Sequence, residues 1–149
     1  DIQSDSAFTV VIGEPRANVQ RLLDVTEASL YKAISRARAG ARVGDIGHTI
    51  QTTCEAEGFG VVRDYVGHGI GRRLHEDPAV PNYGKVGTGV LLKPGMCIAI
   101  EPMITLGTWR TQVLGDRWTV VTQDGSLAAH FEHTVLVTEG EPEILTKTP

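Results

Sequence analysis

The order of hydrophobic patterns in this 149-residue chain predicts an α+β domain, a curved antiparallel sheet backed by helices. Three observations carry that prediction. A β-branched run lies near the start, two stretches of helical periodicity follow, and from residue 97 onward short apolar runs alternate with turn signals.

Taken in order, residues 7–12 (AFTVVI) read as a strand, ended by Gly13-Glu14-Pro15. Over residues 17–38, Val19, Leu22, Leu23, Thr26, Leu30, Ile34 and Ala37 recur at helical spacing, and Gly40 closes this first helix. Asp45 is the expected N-cap of a second helix, with Ile46, Ile50, Thr53 and Cys54 as its inner stripe and Gly58 as its end. Residues 72–89 contain Pro78, Pro81 and several glycines, and read as a long ordered loop of the kind that tends to be functional. Lys93-Pro94-Gly95-Met96 is a type II turn signal that feeds a strand over 97–104. Strands are expected over 118–122 and 128–138, separated by the turn 123–126, with a last pairing at 143–145.

Length and composition describe one domain over residues 1–149 with a real core, since 41% of residues are hydrophobic. A formal charge of -4 argues against nucleic acid as the main partner. No apolar run has the length of a membrane span. Cys54 and Cys97 read as buried free thiols, not as a disulfide or a zinc knuckle. The chain opens on Asp1 rather than Met, directly in what reads as a strand, which suggests that something has been cut off upstream.

Glu101 is the strongest chemical clue, because it interrupts an otherwise apolar strand. An unpaired carboxylate there costs several kcal/mol or takes up a proton, on the order of the penalty for any buried charge. Residue type alone leaves a buried Glu–Arg pair equally open. Pro102 removes a ladder donor, so the strand must lie at an edge or be bulged there. Glu132 shares the parity of His130 and Thr134, which by itself suits a solvent-facing side. His68 sits between Gly67 and Gly69, where backbone geometry can fix the imidazole. The run Gly67-x-Gly69-x-Gly71 lacks the last spacing of a dinucleotide fingerprint, and no helix is predicted after it, so a phosphate cradle is the weaker reading. Asp5 would be an ordinary strand-end aspartate if it stood alone. Together, three carboxylates (Asp5, Glu101, Glu132) and one imidazole (His68) suit one or two oxygen-loving divalent cations that activate water. His48 and His133 read as ordinary histidines, and His130 as a group placed behind the ligands.

Several segments match a known pattern in order and spacing. They are Gly67-His68-Gly69-Ile70-Gly71 with His75 seven residues after His68, Lys93-Pro94-Gly95-Met96, Ile100-Glu101-Pro102-Met103, Trp118-Thr119-Val120, and Phe131-Glu132-His133-Thr134. Together they resemble the type I methionine aminopeptidases of peptidase family M24, whose pita-bread fold is shared with creatinase and prolidase. The likeness runs from Asp5 to about Leu145 and implies the C-terminal portion of such a domain.

Carried across, the resemblance implies that Asp5 and Glu132 bridge two metals, and that His68 and Glu101 ligate the second. Glu101 would also shuttle the proton of an attacking hydroxide, and His75 would hydrogen-bond the scissile amide. Trp118, Tyr65 and Leu74 would line the pocket for the first side chain. The implied cofactors are two divalent ions (Co, Mn or Fe(II)), and the implied partner is a peptide or nascent-chain N-terminus, with ribosome contact left open. A cytoplasmic monomer without nucleic-acid or membrane partners is expected.

The resemblance also implies a fifth ligand, an aspartate on a strand before Asp5, for which this chain has no counterpart. Asp1 lies about 13 Å away along an extended strand, too far to replace it. The resemblance therefore leaves the second metal position one ligand short. Weak metal binding, near-inactivity of the isolated chain and an uncovered apolar sheet face are expected. Val66 and Leu74 stand where the family often has Cys and Phe, and keep the pocket apolar. Two other readings remain: a prolidase or aminopeptidase P-like enzyme, and a catalytically silent pita-bread module that binds peptides.

Overall fold

The computed structural model describes residues 1–147. Its elements in chain order are β1 (Ser6–Ala7), α1 (Ala17–Ile34), α2 (Val43–Glu55), β2 (Gly60–Val61), β3 (Gly67–Gly69), β4 (Glu76–Val80), β5 (Cys97–Ile100), β6 (Met103–Thr105), β7 (Thr111–Val113), β8 (Val120–Thr122), β9 (Ala128–His130), β10 (Glu132–Leu136) and β11 (Glu143–Ile144). One sheet runs β1-β10-β5-β3-β4, with β11 also on β10; a second runs β2-β6-β9; β7 and β8 form a ribbon. All pairings are antiparallel, as expected.

The helices cover one side of these sheets. Leu22, Leu30 and Ile34 of α1 and Ile46, Ile50 and Cys54 of α2 pack with Ile98 and Ile100 of β5, Ile104 of β6 and Val135 of β10. Helix α1 stops at Ile34, four residues before the predicted end. Ala37 remains fully buried, so its place in the hydrophobic pattern comes from the turn after the helix. Helix α2 starts two residues before Asp45. Asp45 sits at the third helical position and accepts the Arg42 N–H at 2.7 Å, so it closes the helix start from inside.

Five further expectations change. The strand over 7–12 shrinks to β1, because its partner β10 begins at Glu132 and the chain before that turns into the second sheet. Beyond Ala7, the Thr9 hydroxyl does the pairing: it accepts the His130 N–H at 2.9 Å and donates to the His130 carbonyl at 2.7 Å. Phe8, Val10 and Ile12 are left exposed. The loop over 72–89 contains β4, which tolerates Pro78 because it is the sheet's edge strand. The strand over 97–104 is two strands in two sheets, broken at Glu101-Pro102, and the strand over 128–138 is likewise broken at Phe131. Finally, Cys97 is half-buried; both cysteines are free.

The two breaks lie opposite each other. Ile100 pairs with His133 before them and Met103 with His130 after them. The Phe131 N–H to the Pro102 carbonyl, at 3.4 Å, spans the gap. The break at Glu101 frees a carbonyl, which takes a 3.0 Å hydrogen bond from Nδ2 of the fully buried Asn82. Asn82→Ala is expected to lower stability by about 1–3 kcal/mol, because it leaves that carbonyl without a partner in the interior. Urea unfolding of the two proteins measures this.

Candidate metal centre

Four laterally adjacent strands bring the four predicted ligands together. Glu132 begins β10, Glu101 follows β5, His68 is the middle residue of β3, and Asp5 immediately precedes β1. Because the break at Glu101-Pro102 turns the chain out of the ladder, the Glu101 carboxylate faces the same space as Glu132. His68 Nε2 lies 3.5 Å from Glu101 Oε1. Donor atoms of Asp5, His68 and Glu132 all lie within 4.8 Å of one another.

Each side chain is held in place. Asp5 is pinned by its backbone: its N–H donates to Thr134 Oγ1 at 2.9 Å, and the same hydroxyl donates to its carbonyl at 2.8 Å. His68 Nδ1 is 2.9 Å from the Gly69 carbonyl. That bond requires Nδ1 to carry the proton, so Nε2 presents its lone pair to the carboxylates. Gly67 and Gly69 allow β3 to lie this close to its neighbours. A Cβ on Gly67 would run into the Ala99 carbonyl oxygen of β5, and one on Gly69 into Asp77 of β4.

Glu132 is 4% exposed, so the solvent-facing side that its parity alone suggested is in fact interior. Its carboxyl is pushed up from the ordinary 4.5 to about 7, first by burial and then by the Glu101 and Asp5 carboxylates, with His130 opposing. Glu132 Oε1 and His130 Nε2 are buried without a hydrogen-bond partner. Such atoms are costly unless something fills the space between them. A divalent cation satisfies these orphaned donors and neutralises the clustered carboxylates, so the residues present fit a metal.

A cavity of about 360 Å³ adjoins Glu101, lined by Tyr65, Val66, His75, Met103 and Thr105 among others. The His75 ring stands 4.2 Å from that of His68, centroid to centroid. Tyr65 lies on the wall of this cavity with His75, whereas Leu74 and Trp118 lie outside it. Leu74 is exposed outside the cavity wall, and Trp118, 88% exposed, sits at the β7–β8 turn. Asp116 shapes that turn by accepting the Trp118 and Thr119 N–H groups, which leaves the indole outward.

His130 also reaches this space. Its Nε2 faces both glutamates, at 3.6 Å from Glu101 Oε2 and 4.0 Å from Glu132 Oε2. Its parity with Glu132 was the available signal, but the break at Phe131 hides the geometry.

The model of metallopeptidase family M24 matches residues 1–139. This chain belongs to metallopeptidase family M24. It is 53% identical over 144 residues to the methionine aminopeptidase of Clostridium acetobutylicum, covering 97% of this chain and 58% of that protein. It resembles the crystal structure of the Thermotoga maritima methionine aminopeptidase with a TM-score of 0.97 at 54% identity, covering 99% of this chain and 59% of that one. The Pyrococcus furiosus prolidase gives a TM-score of 0.74 at 26% identity, covering 99% of this chain and 38% of that one. The fold is thus the pita-bread fold of M24 enzymes, and the chain spans a little under three-fifths of the methionine aminopeptidases it matches. Among the described residues, no helix is long and apolar enough to cross a membrane.

Proposed function

We propose that this chain serves the metal-dependent removal of N-terminal methionine from peptides and nascent proteins, as a cytoplasmic enzyme. The observation that carries the reading is the convergence of Asp5, His68, Glu101 and Glu132 beside a cavity walled by His75 and Tyr65. The identity to methionine aminopeptidases supports it.

Asp5, His68, Glu101 and Glu132 would hold the divalent ions; a carboxylate-rich set with an imidazole suits Mn, Fe(II) or Co. Such ions supply Lewis acidity, which acidifies water and polarises a carbonyl. The protein does the rest. Glu101, its side chain 14% exposed, accepts a proton at a carboxylate oxygen and returns it to the leaving amine. His75, beside His68 on the cavity wall, donates a hydrogen bond to the scissile amide and steadies the charge that develops there. The mostly apolar cavity around Tyr65, Val66 and Met103 receives an unbranched apolar side chain.

The Trp118-Thr119-Val120 context, the apolar cavity and the identities support methionine over a prolidase-like substrate. With the upstream half of the domain restored and Mn(II) or Co(II) present, the protein is expected to release methionine from a Met-Ala peptide and leave Ala-Pro intact. Glu101→Gln should lower turnover at least 100-fold, about 3 kcal/mol in the barrier, while peptide binding persists. Cleavage of Ala-Pro alone would transfer the chain to the prolidase reading.

A further inference from the structure

We propose that His130 Nε2 is itself a metal ligand in this chain, closing with Glu101 and Glu132 a three-donor position beside the one made by Asp5, His68 and Glu132. The inference rests on the metal-centre reading above and adds a donor to it.

The geometry has three parts. First, His130 Nε2 is 3.6 Å and 4.0 Å from the nearer oxygens of Glu101 and Glu132. These separations are too long for hydrogen bonds. They suit donors around one ion, because two ligands each about 2.1 Å from a cation stand roughly 3.0 Å apart at a right angle and roughly 4.2 Å apart when opposite. Second, His130 Nε2 and Glu132 Oε1 are both buried and unpartnered, and Glu132 is 4% exposed. The donor atoms of Glu101, His130 and Glu132 lie within 4.8 Å of one another, as do those of Asp5, His68 and Glu132. Third, the His130 backbone is clamped on both sides by the Thr9 hydroxyl, so the ring is held at the centre by a rigid main chain. Glu132 belongs to both donor groups and Glu101 Oε1 also stands 3.5 Å from His68 Nε2, so the two positions adjoin, with one imidazole beside each. Nitrogen and carboxylate donors of this kind suit Mn(II), Fe(II) or Co(II).

Anaerobic titration of the chain with Co(II), followed by visible absorption and by hyperfine-shifted proton signals of coordinated imidazoles, tests this. Two equivalents and shifted signals from two histidines are expected. In His130→Gln, one set of signals should vanish and the second equivalent should weaken at least tenfold, with the apo melting temperature little changed. His130→Ala should behave the same way. Ring-¹⁵N-labelled wild-type protein gives the answer without any variant, since Nε2 of both His68 and His130 should respond to Co(II). Two equivalents bound at wild-type affinity in His130→Gln, with every shifted signal retained, would overturn the His130 role and leave the Asp5–His68–Glu132 centre standing. No shifted imidazole signal in the wild type would overturn both.

Discussion

Glu132→Gln is expected to abolish divalent-cation binding and, at pH 8, to make the metal-free protein more stable than the wild type. Both effects have one cause. Glu132 is the donor common to both ligand groups, so losing its charge removes a ligand from each. In the metal-free fold the same carboxyl is a liability, because it is buried beside two other carboxylates. The folded protein keeps the Glu132 proton up to about pH 7, whereas the unfolded chain releases it near 4.5. Between those values the folded state binds more protons. The stability due to this group is therefore complete below pH 4.5 and is lost as pH rises through about 7, by roughly 3 kcal/mol in total. Glutamine does not titrate, so the variant in EDTA should lack that decline. Denaturant unfolding from pH 4 to 8 with chelator, and calorimetric titration with Mn(II) without it, measure the two halves.

Gly67→Ala should be the most damaging change of a single methyl group. Gly67 lies in β3, between β5 and the edge strand β4. A Cβ there meets the Ala99 carbonyl oxygen at far less than van der Waals distance, with the Val80 carbonyl oxygen at 3.1 Å on the other side. Both obstacles are main chain in paired strands, so neither can step aside as a side-chain tip would. A loss of at least about 3 kcal/mol is expected, enough to unfold a marginal domain. Where the variant does fold, the displaced β3 should carry His68 away from Glu101 and weaken metal binding as well. Circular dichroism melts and the same titration read both effects. Gly95→Ala makes a useful contrast: its positive φ of 86° costs conformational strain, but a Cβ there meets nothing within 4 Å, so a smaller loss is expected.

How far the sequence could be read depended on whether local chemistry or distant pairing decided each element. Glu101 stood out because a charge in an apolar run needs a reason, and Pro102 announced the irregularity that re-aims it. The helices were legible from the spacing of Leu22, Leu30, Ile46 and Ile50, all of which are buried. The break at Phe131 had no such marker: an aromatic residue continues a strand as readily as it ends one, and only the facing break at Glu101-Pro102 forces the chain to change sheets. Strand β7 was missed because Thr111–Val113 carries little apolar signal and exists through pairing with β8. Burial of Glu132 escaped parity reasoning for a related reason. Strand parity says which residues share a face, but not whether other strands close over it. Trp118 is exposed at the β7–β8 turn that Asp116 shapes, a placement the motif alone does not convey.

Metal binding between strands β1, β10, β5 and β3 decides the proposed function. Crystals of the chain grown with Mn(II), with diffraction recorded on both sides of the manganese edge, test it most directly. An anomalous peak within bonding distance of Asp5, His68 and Glu132, with Glu101 turned toward the same density, is the predicted result. A well-ordered site with no anomalous density there, or manganese bound only elsewhere on the surface, would contradict it.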